Sequence, residues 1–180
     1  MKALFSKIIP YVTVLLAMLA WAFGSVLYKE TLIAWWEPLS MALILAIATL
    51  FLCKKWQWLT RSDNKILNGI CHLFHASAFC YLMILGGNFM LADPSSTREE
   101  KVTVLSKHIE THKQTRRVGN RRYVAAGERK EYYLQVIFEN GPRKKLPVSL
   151  STYNKTRTNA TKILTLEKGF FGYTIIKKGI

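Results

Sequence analysis

Residues 8–28 read IIPYVTVLLAMLAWAFGSVLY, bounded by Lys7 and Lys29 and without a formal charge between them. As an α-helix these 21 residues rise about 1.5 Å each, which matches a hydrocarbon core about 30 Å thick. Pro10 falls in the first turn, where a missing N–H costs little. A helix buried in a soluble domain rarely runs beyond about 14 unbroken apolar residues, so the stretch reads as a membrane span.

Two more apolar stretches follow. Pro38–Cys53 is 16 residues long, with Trp35 and Trp36 before it and Trp56 and Trp58 after it, as in an interfacial aromatic belt. Glu37 suits the headgroup level, just ahead of a proline at the first helical position. Ile66–Ala92 holds 27 uncharged residues, enough to cross with tilt. The expectation is a transmembrane region over residues 1–92 with spans at about 8–28, 33–53 and 66–91. Lys2, Lys7 and the Ala20-Trp21-Ala22 run also resemble a secretory signal and its cleavage site. Tryptophan at the middle position and apolar continuation to Leu27 favour an uncleaved helix.

Short loops orient the spans. Residues 29–37 hold one Lys and two Glu, whereas residues 54–65 hold Lys54, Lys55, Arg61 and Lys65 against Asp63. The positive-inside rule places the second loop in the cytoplasm with Lys2 and Lys7, and three crossings then put residues 93–180 outside. The expected location is a bacterial inner membrane, multi-pass, with a periplasmic C-terminal domain.

Charge is divided unevenly. Residues 1–92 carry seven Lys/Arg against three Asp/Glu, and residues 93–180 carry nineteen against eight. All three cysteines (Cys53, Cys71, Cys80) belong to the apolar part, so no disulfide framework holds the second part together. It must fold on a small core of its own.

Asp93-Pro94-Ser95-Ser96-Thr97 breaks the third helix, and residues 93–100 read as a linker. Val102, Leu105 and Ile109 fit a helical stripe with a Thr97/Glu100 capping box, but the β-branched alternation of Val102-Thr103-Val104 favours a strand. Tyr132, Leu134, Val136 and Phe138 alternate, Asn140-Gly141 supplies a hairpin turn that Pro142 lengthens, and Leu146, Val148 and Leu150 alternate on the return. Ser151–Thr161 reads as a loop or one helical turn, and Lys162–Lys168 and Tyr173–Lys178 as strands joined by Gly169-Phe170-Phe171-Gly172. The fold class is therefore membrane α plus small β. Three transmembrane helices precede a basic domain over 101–180, a small antiparallel sheet or partly open barrel of four to five strands.

Tyr132–Phe138, Asn140-Gly141, Arg143–Leu150 and the closing Leu164, Leu166, Gly169 and Gly172 resemble small membrane-tethered β domains of bacterial proteins of uncharacterised role. That resemblance covers roughly residues 100–178 and implies the tether and the sheet but no activity. Asn159-Ala160 stands where such domains often carry Gly-Asp.

Candidate chemistry is sparse. His72 and His75 lie three apart on one face of the third span, beside Cys71 and near Cys53, an arrangement that suits a metal or haem. Interhelical hydrogen bonding by the histidines and packing by the cysteines is the plainer reading, and no metal or cofactor is expected. His108 and His112 would clamp a metal from a helix but stand about 13 Å apart on a strand. Nucleophile elbows, phosphate loops and Cys-x-x-Cys pairs are missing, and Glu110, Glu128, Glu131 and Glu139 all lie in charged surroundings, so a non-enzymatic role is expected.

The strongest remaining feature is basic. Arg116, Arg117, Arg121, Arg122, Arg129 and Lys130 crowd what reads as one loop, and Arg143, Lys144 and Lys145 follow the Asn-Gly turn. These nine are the expected contact residues for anionic lipid headgroups or another envelope protein, with a merely solvated face as the competing reading. Nucleic acid suits the charge only if the domain is cytoplasmic. Asn154 and Asn159 begin Asn-x-Thr triplets that matter only in a lumenal eukaryotic setting.

Overall fold

The computed structural model describes residues 2–119, 122–139 and 141–178, with side chains from residue 8 to residue 177 within those ranges. The elements are α1 (Lys2–Lys29), β1 (Thr31–Leu32), α2 (Trp36–Ala48), a 3-10 segment (Leu50–Trp56), α3 (Gln57–Thr60), α4 (Lys65–Met90), β2 (Asp93–Val118), β3 (Arg122–Phe138), β4 (Arg143–Val148), α5 (Leu150–Lys155), β5 (Thr161–Lys168) and β6 (Thr174–Lys178). The strands make one antiparallel sheet in the order β1-β6-β5-β2-β3-β4. Six strands replace the four to five expected, because the two-residue β1 is too short for any periodicity to announce it. Residues 93–100, expected as a linker, are instead the first part of β2.

The chain divides into two compact units, Met1–Ser96 with Glu167–Ile175 and Thr97–Leu166 with Ile176–Ile180. The first unit is packed inside-out relative to a soluble bundle. Ala17, Ala20 and Gly24 of α1 face Ala78 and Tyr81 of α4, and Pro38, Ala42 and Ala46 of α2 are buried at a spacing of four. Small residues let these helices approach closely, as helices do in lipid. The large side chains point outward: Leu15, Leu16, Phe23, Ile44, Ile70 and Met83 are all exposed.

Two helices, Ile8–Lys29 and Lys65–Met90, are long and apolar enough to cross a membrane. The second expected span is not one straight helix. α2 ends after 13 residues, about 20 Å at helical rise, and the chain bends by 72° into the segment Leu50–Thr60. Taken as one span, this bent pair is the third crossing. Its contacts run in order along α4: Ala42 packs with Tyr81, Ile84 and Leu85, Ala46 and Thr49 bond His72, and Thr60 bonds Asn68.

Both ends of α4 are closed by asparagines. Asn64 caps its start, accepting from the N–H groups of Ile66 at 2.9 Å and Leu67 at 3.3 Å. Near its end Asn88, wholly buried, donates from its side-chain amide to the Tyr173 carbonyl (3.1 Å) and accepts from the Phe171 N–H (3.0 Å). Its main-chain carbonyl accepts from the Phe170 N–H at 3.2 Å. A Cβ on Gly169 would stand 2.2–2.4 Å from the Asn88 side chain, so glycine is required there by close approach. The held segment continues into β6, where Thr31 and Leu32 of β1 pair with Ile175 and Thr174.

In the second unit β2 and β3 pair in register from Val102↔Phe138 to Val118↔Arg122. Val102, Val104, Leu134, Val136, Phe138, Leu146, Leu164 and Leu166 form the buried core. A shift between Val104 and Ser106 places one extra residue, Leu105, so the alternation of β2 changes parity there. α5 starts where Ser149 accepts from the Thr152 N–H at 3.1 Å, and its Tyr153 ring lies 5.1 Å from that of Tyr132. Gly141, with φ 94°, closes the β3–β4 turn by donating to Phe138 O. Asn140 lies outside the described residues.

Candidate functional site

The basic residues expected on a loop stand on strands. Beyond the pair Glu110↔Glu131, β2 and β3 continue to the turn at Gly119 as a two-stranded ribbon, and residues 111–119 and 122–130 are all exposed. Nothing covers either face of this ribbon among the described residues. Arg116, Arg117, Arg122, Arg129 and Lys130 lie on it, while Arg121 lies outside the described residues.

Directly opposite residues of an antiparallel pair share a face. Arg117 pairs with Tyr123, Arg116 with Val124, and Val118 with Arg122. Each face near the turn therefore sets a guanidinium beside an exposed apolar side chain, with Tyr123 69% exposed. Arg117 donates to the Gly119 carbonyl at 3.2 Å and Arg129 pairs with Glu131 at 3.2 Å. Arg116, Arg122 and Lys130 enter no ion pair among the described residues.

The second basic group does not join the first. On β4 the side chain of Lys144 shares the face of the buried Leu146, whereas those of Arg143 and Lys145 take the opposite face. The Lys145 ammonium pairs with Glu110 and sits 4.3 Å above the Tyr133 ring. It is engaged in the fold.

That polar face also brings Glu110, His112 and Glu131 together, one ligand atom from each within 4.8 Å of the others. Sequence spacing hides the trio because Glu110 and Glu131 are cross-strand partners. Both carboxylates are already satisfied. The hydrogen bond from Lys145 is the main cause holding Glu110 below its usual range, and the bond from Tyr133 (2.7 Å) does the same for Glu131. That bond to Glu131 also pushes the Tyr133 hydroxyl up to about 12. Lys145 and Arg129 at the carboxylates leave little attraction for a cation. His108 pairs with Tyr133 on β2, a strand throughout, so His108 and His112 do not clamp one ion.

His72 and His75 share a face of α4 and are both buried, each with a distinct tautomer imposed by its partners. The Trp56 indole donates to His72 Nδ1 at 3.0 Å, so that nitrogen must be unprotonated. His72 Nε2 then carries the proton and donates to Thr49 Oγ1 (3.1 Å) and the Ala46 carbonyl (3.2 Å). The histidine thus ties the end of α2 to α4 where the backbone leaves its helix. His75 is the reverse: Nδ1 lies 2.8 Å from the Cys71 carbonyl, so Nδ1 carries the proton. Its ring stacks on Trp56 with centroids 4.4 Å apart. His75 Nε2 is the one buried side-chain N or O atom without a hydrogen-bond partner among the described residues.

Sequence reasoning passed over Trp56, which reads as a belt residue, and over Thr49, Asn68 and Asn88. The available signal was their polarity inside otherwise apolar stretches, where an uncharged polar group needs a partner. No protein-family model, curated protein or solved structure matches this chain.

Proposed function

We propose that the chain is a three-span integral membrane protein without catalytic activity, and that its basic ribbon engages anionic lipid headgroups. The observation that carries this reading is the ribbon itself: exposed on both faces, with Arg116 and Arg122 in no ion pair among the described residues and Val118, Tyr123 and Val124 interleaved. A patch that only maintained solubility would gain nothing from exposed valine and tyrosine. At a headgroup layer the apolar side chains enter the interface while the guanidinium groups meet phosphate, each cation contributing about 1 kcal/mol.

Three crossings are favoured over a re-entrant second segment by the order of its contacts. A re-entrant loop returns to the level at which it entered. Here the chain starts beside Leu85 and ends beside Asn68, 17 residues along α4 or about 25 Å. The second unit would then stand on the side opposite Lys54, Lys55, Arg61 and Lys65, the periplasm of a bacterial cell. An acidic envelope protein is the second partner the ribbon suits. A two-stranded basic ribbon also fits a nucleic-acid groove, a reading that requires the unit to be cytoplasmic. Metal or haem ligation through both His72 and His75 draws no support, because Trp56 already occupies the only lone pair of His72.

The test uses the full chain in phosphatidylcholine nanodiscs, floated with vesicles of phosphatidylcholine with or without phosphatidylglycerol. Flotation should depend on phosphatidylglycerol and fall steeply as salt shortens the Debye length from about 10 Å to about 3 Å. Replacing Arg116, Arg117 and Arg122 by alanine should weaken it at least about tenfold. Equal flotation of the two proteins refutes the lipid reading.

A further inference from the structure

The two faces of the basic ribbon are not equivalent. β2 and β3 pair Arg116 with Val124 and Val118 with Arg122, and directly opposite residues share a face. Alternation along β2 puts residues 116 and 118 on the same side, so Arg116, Val118, Arg122 and Val124 form one block of four. Within it the two arginines are diagonal neighbours, about 7–8 Å apart, a gap that long side chains bridge. The two valines take the other diagonal and are 51% and 48% exposed. The opposite face carries Lys113, Arg117 and Tyr123, and there Arg117 donates to the Gly119 carbonyl.

No carboxylate stands beside the block among the described residues. Glu128 is the cross-strand partner of Lys113 and so belongs to the opposite face. Glu110 and Glu131 share the face of the block, but Glu110 lies six residues before Arg116, about 20 Å along the strand. Both are already met, by Lys145 and Arg129. Two guanidinium forks at this spacing therefore present N–H donors to a single anionic group. A phosphate diester offers two terminal oxygens and one charge, enough for one fork. A phosphate monoester carries a charge of about −1.5 to −2 and three terminal oxygens, so each fork can take a different pair.

We infer that this face is a two-arginine clamp for the phosphate monoester of a membrane lipid, with Val118 and Val124 at the acyl boundary. The valines favour a lipid over a soluble phosphate ester, since only the lipid removes their exposed surface from water. The clamp rests on the lipid-contact reading of the ribbon and adds to it the headgroup class and the face that binds.

For the test, the full chain in phosphatidylcholine nanodiscs is floated with vesicles containing phosphatidic acid or phosphatidylglycerol. Their fractions are adjusted to equal zeta potential, which removes the difference in general attraction. Phosphatidic acid should still bind at least about fivefold more tightly. Arg116→Lys together with Arg122→Lys keeps both charges but removes the forks, and should bring the two affinities within about twofold. Lys113→Ala together with Arg117→Ala takes two charges from the opposite face; it should weaken both lipids alike and preserve the preference. All four positions are exposed on the ribbon, so none of these changes opens a core. Equal affinities for the unaltered chain at matched charge, or a preference that survives the lysine pair, overturn the clamp and leave the lipid reading standing. A preference lost with the alanine pair as well overturns the assignment to one face. Failure to float with either anionic vesicle rejects the lipid reading itself, and the clamp with it.

Discussion

Asn88 places an amide inside an apolar helix, a choice that is costly unless every polar atom is met. Phe171 N–H and Tyr173 O meet its side chain, and Gly169 makes room for it. Asn88→Leu should therefore destabilise the first unit by about 2–4 kcal/mol, measured by unfolding the full chain in mixed micelles. Gly169→Ala should cost a similar amount, and Asn88→Ala combined with it should cost less than the two single changes together, since the clash is then gone. At Tyr133 the effect comes first from the hydrogen bond that its hydroxyl donates to Glu131. Its folded value near 12 exceeds that of an unfolded tyrosine near 10, so the contribution is present below pH about 10 and lost as the pH rises toward 12. Glu131→Gln should return the group toward ordinary tyrosine titration, visible as tyrosinate absorbance appearing at lower pH than in the unaltered chain. Glu131 itself, held low, contributes above the ordinary carboxylate range and loses that contribution as the pH falls through its depressed folded value.

Among the elements, β2 and β3 contain two different environments on one pair of strands. From Val102 to Lys107 and from Leu134 to Phe138 a core lies against one face, and the alternation of Leu134, Val136 and Phe138 shows it. Over residues 111–119 and 122–130 neither face is covered among the described residues, so no alternation exists and the sequence reads as a loop. A ribbon exposed on both sides has little to stabilise it beyond its own ladder. Trypsin should therefore cut first at Arg116, Arg117 or Arg122, seen by mass spectrometry, while the remainder of the second unit stays folded. The break after Ala48 is the other element-level departure. No proline or glycine marks it; Thr49 turns its hydroxyl onto Leu45 O at 2.9 Å, and His72 supplies a donor to Ala46 O. His72→Phe should cost about 1–3 kcal/mol by leaving the Trp56 N–H without its acceptor, read from the same micellar unfolding.

At the scale of the whole molecule the testable quantity is which ends share a side. Tyr11, Arg61 and Leu67 line one crevice, and Leu27 stands near Gly86, so the first unit has one end holding the start of α1 with the 54–65 loop and another holding residues 29–36 with Asn88. Reporter fusions after Ser62 and after Ile180 should therefore report opposite sides, with the first cytoplasmic. Matching reports from the two fusions would contradict the three-span arrangement.

The three apolar stretches, the concentration of charge after residue 92 and four of the strands were determined by the sequence alone, because each is a local pattern of residue types repeating at a helical or strand period. What the tertiary structure decided depends on partners far apart in the chain. The bend at Thr49 exists because His72 lies beside it, Gly169 is needed because Asn88 arrives there, and the two histidines differ because Trp56 donates to one and none of the described residues donates to the other. The basic cluster is a ribbon because β2 and β3 pair along it, and it reads as a loop because nothing covers its faces among the described residues. Hydrogen-bond partnership and burial are properties of the assembled chain, which is why a nitrogen without a donor could be found only there.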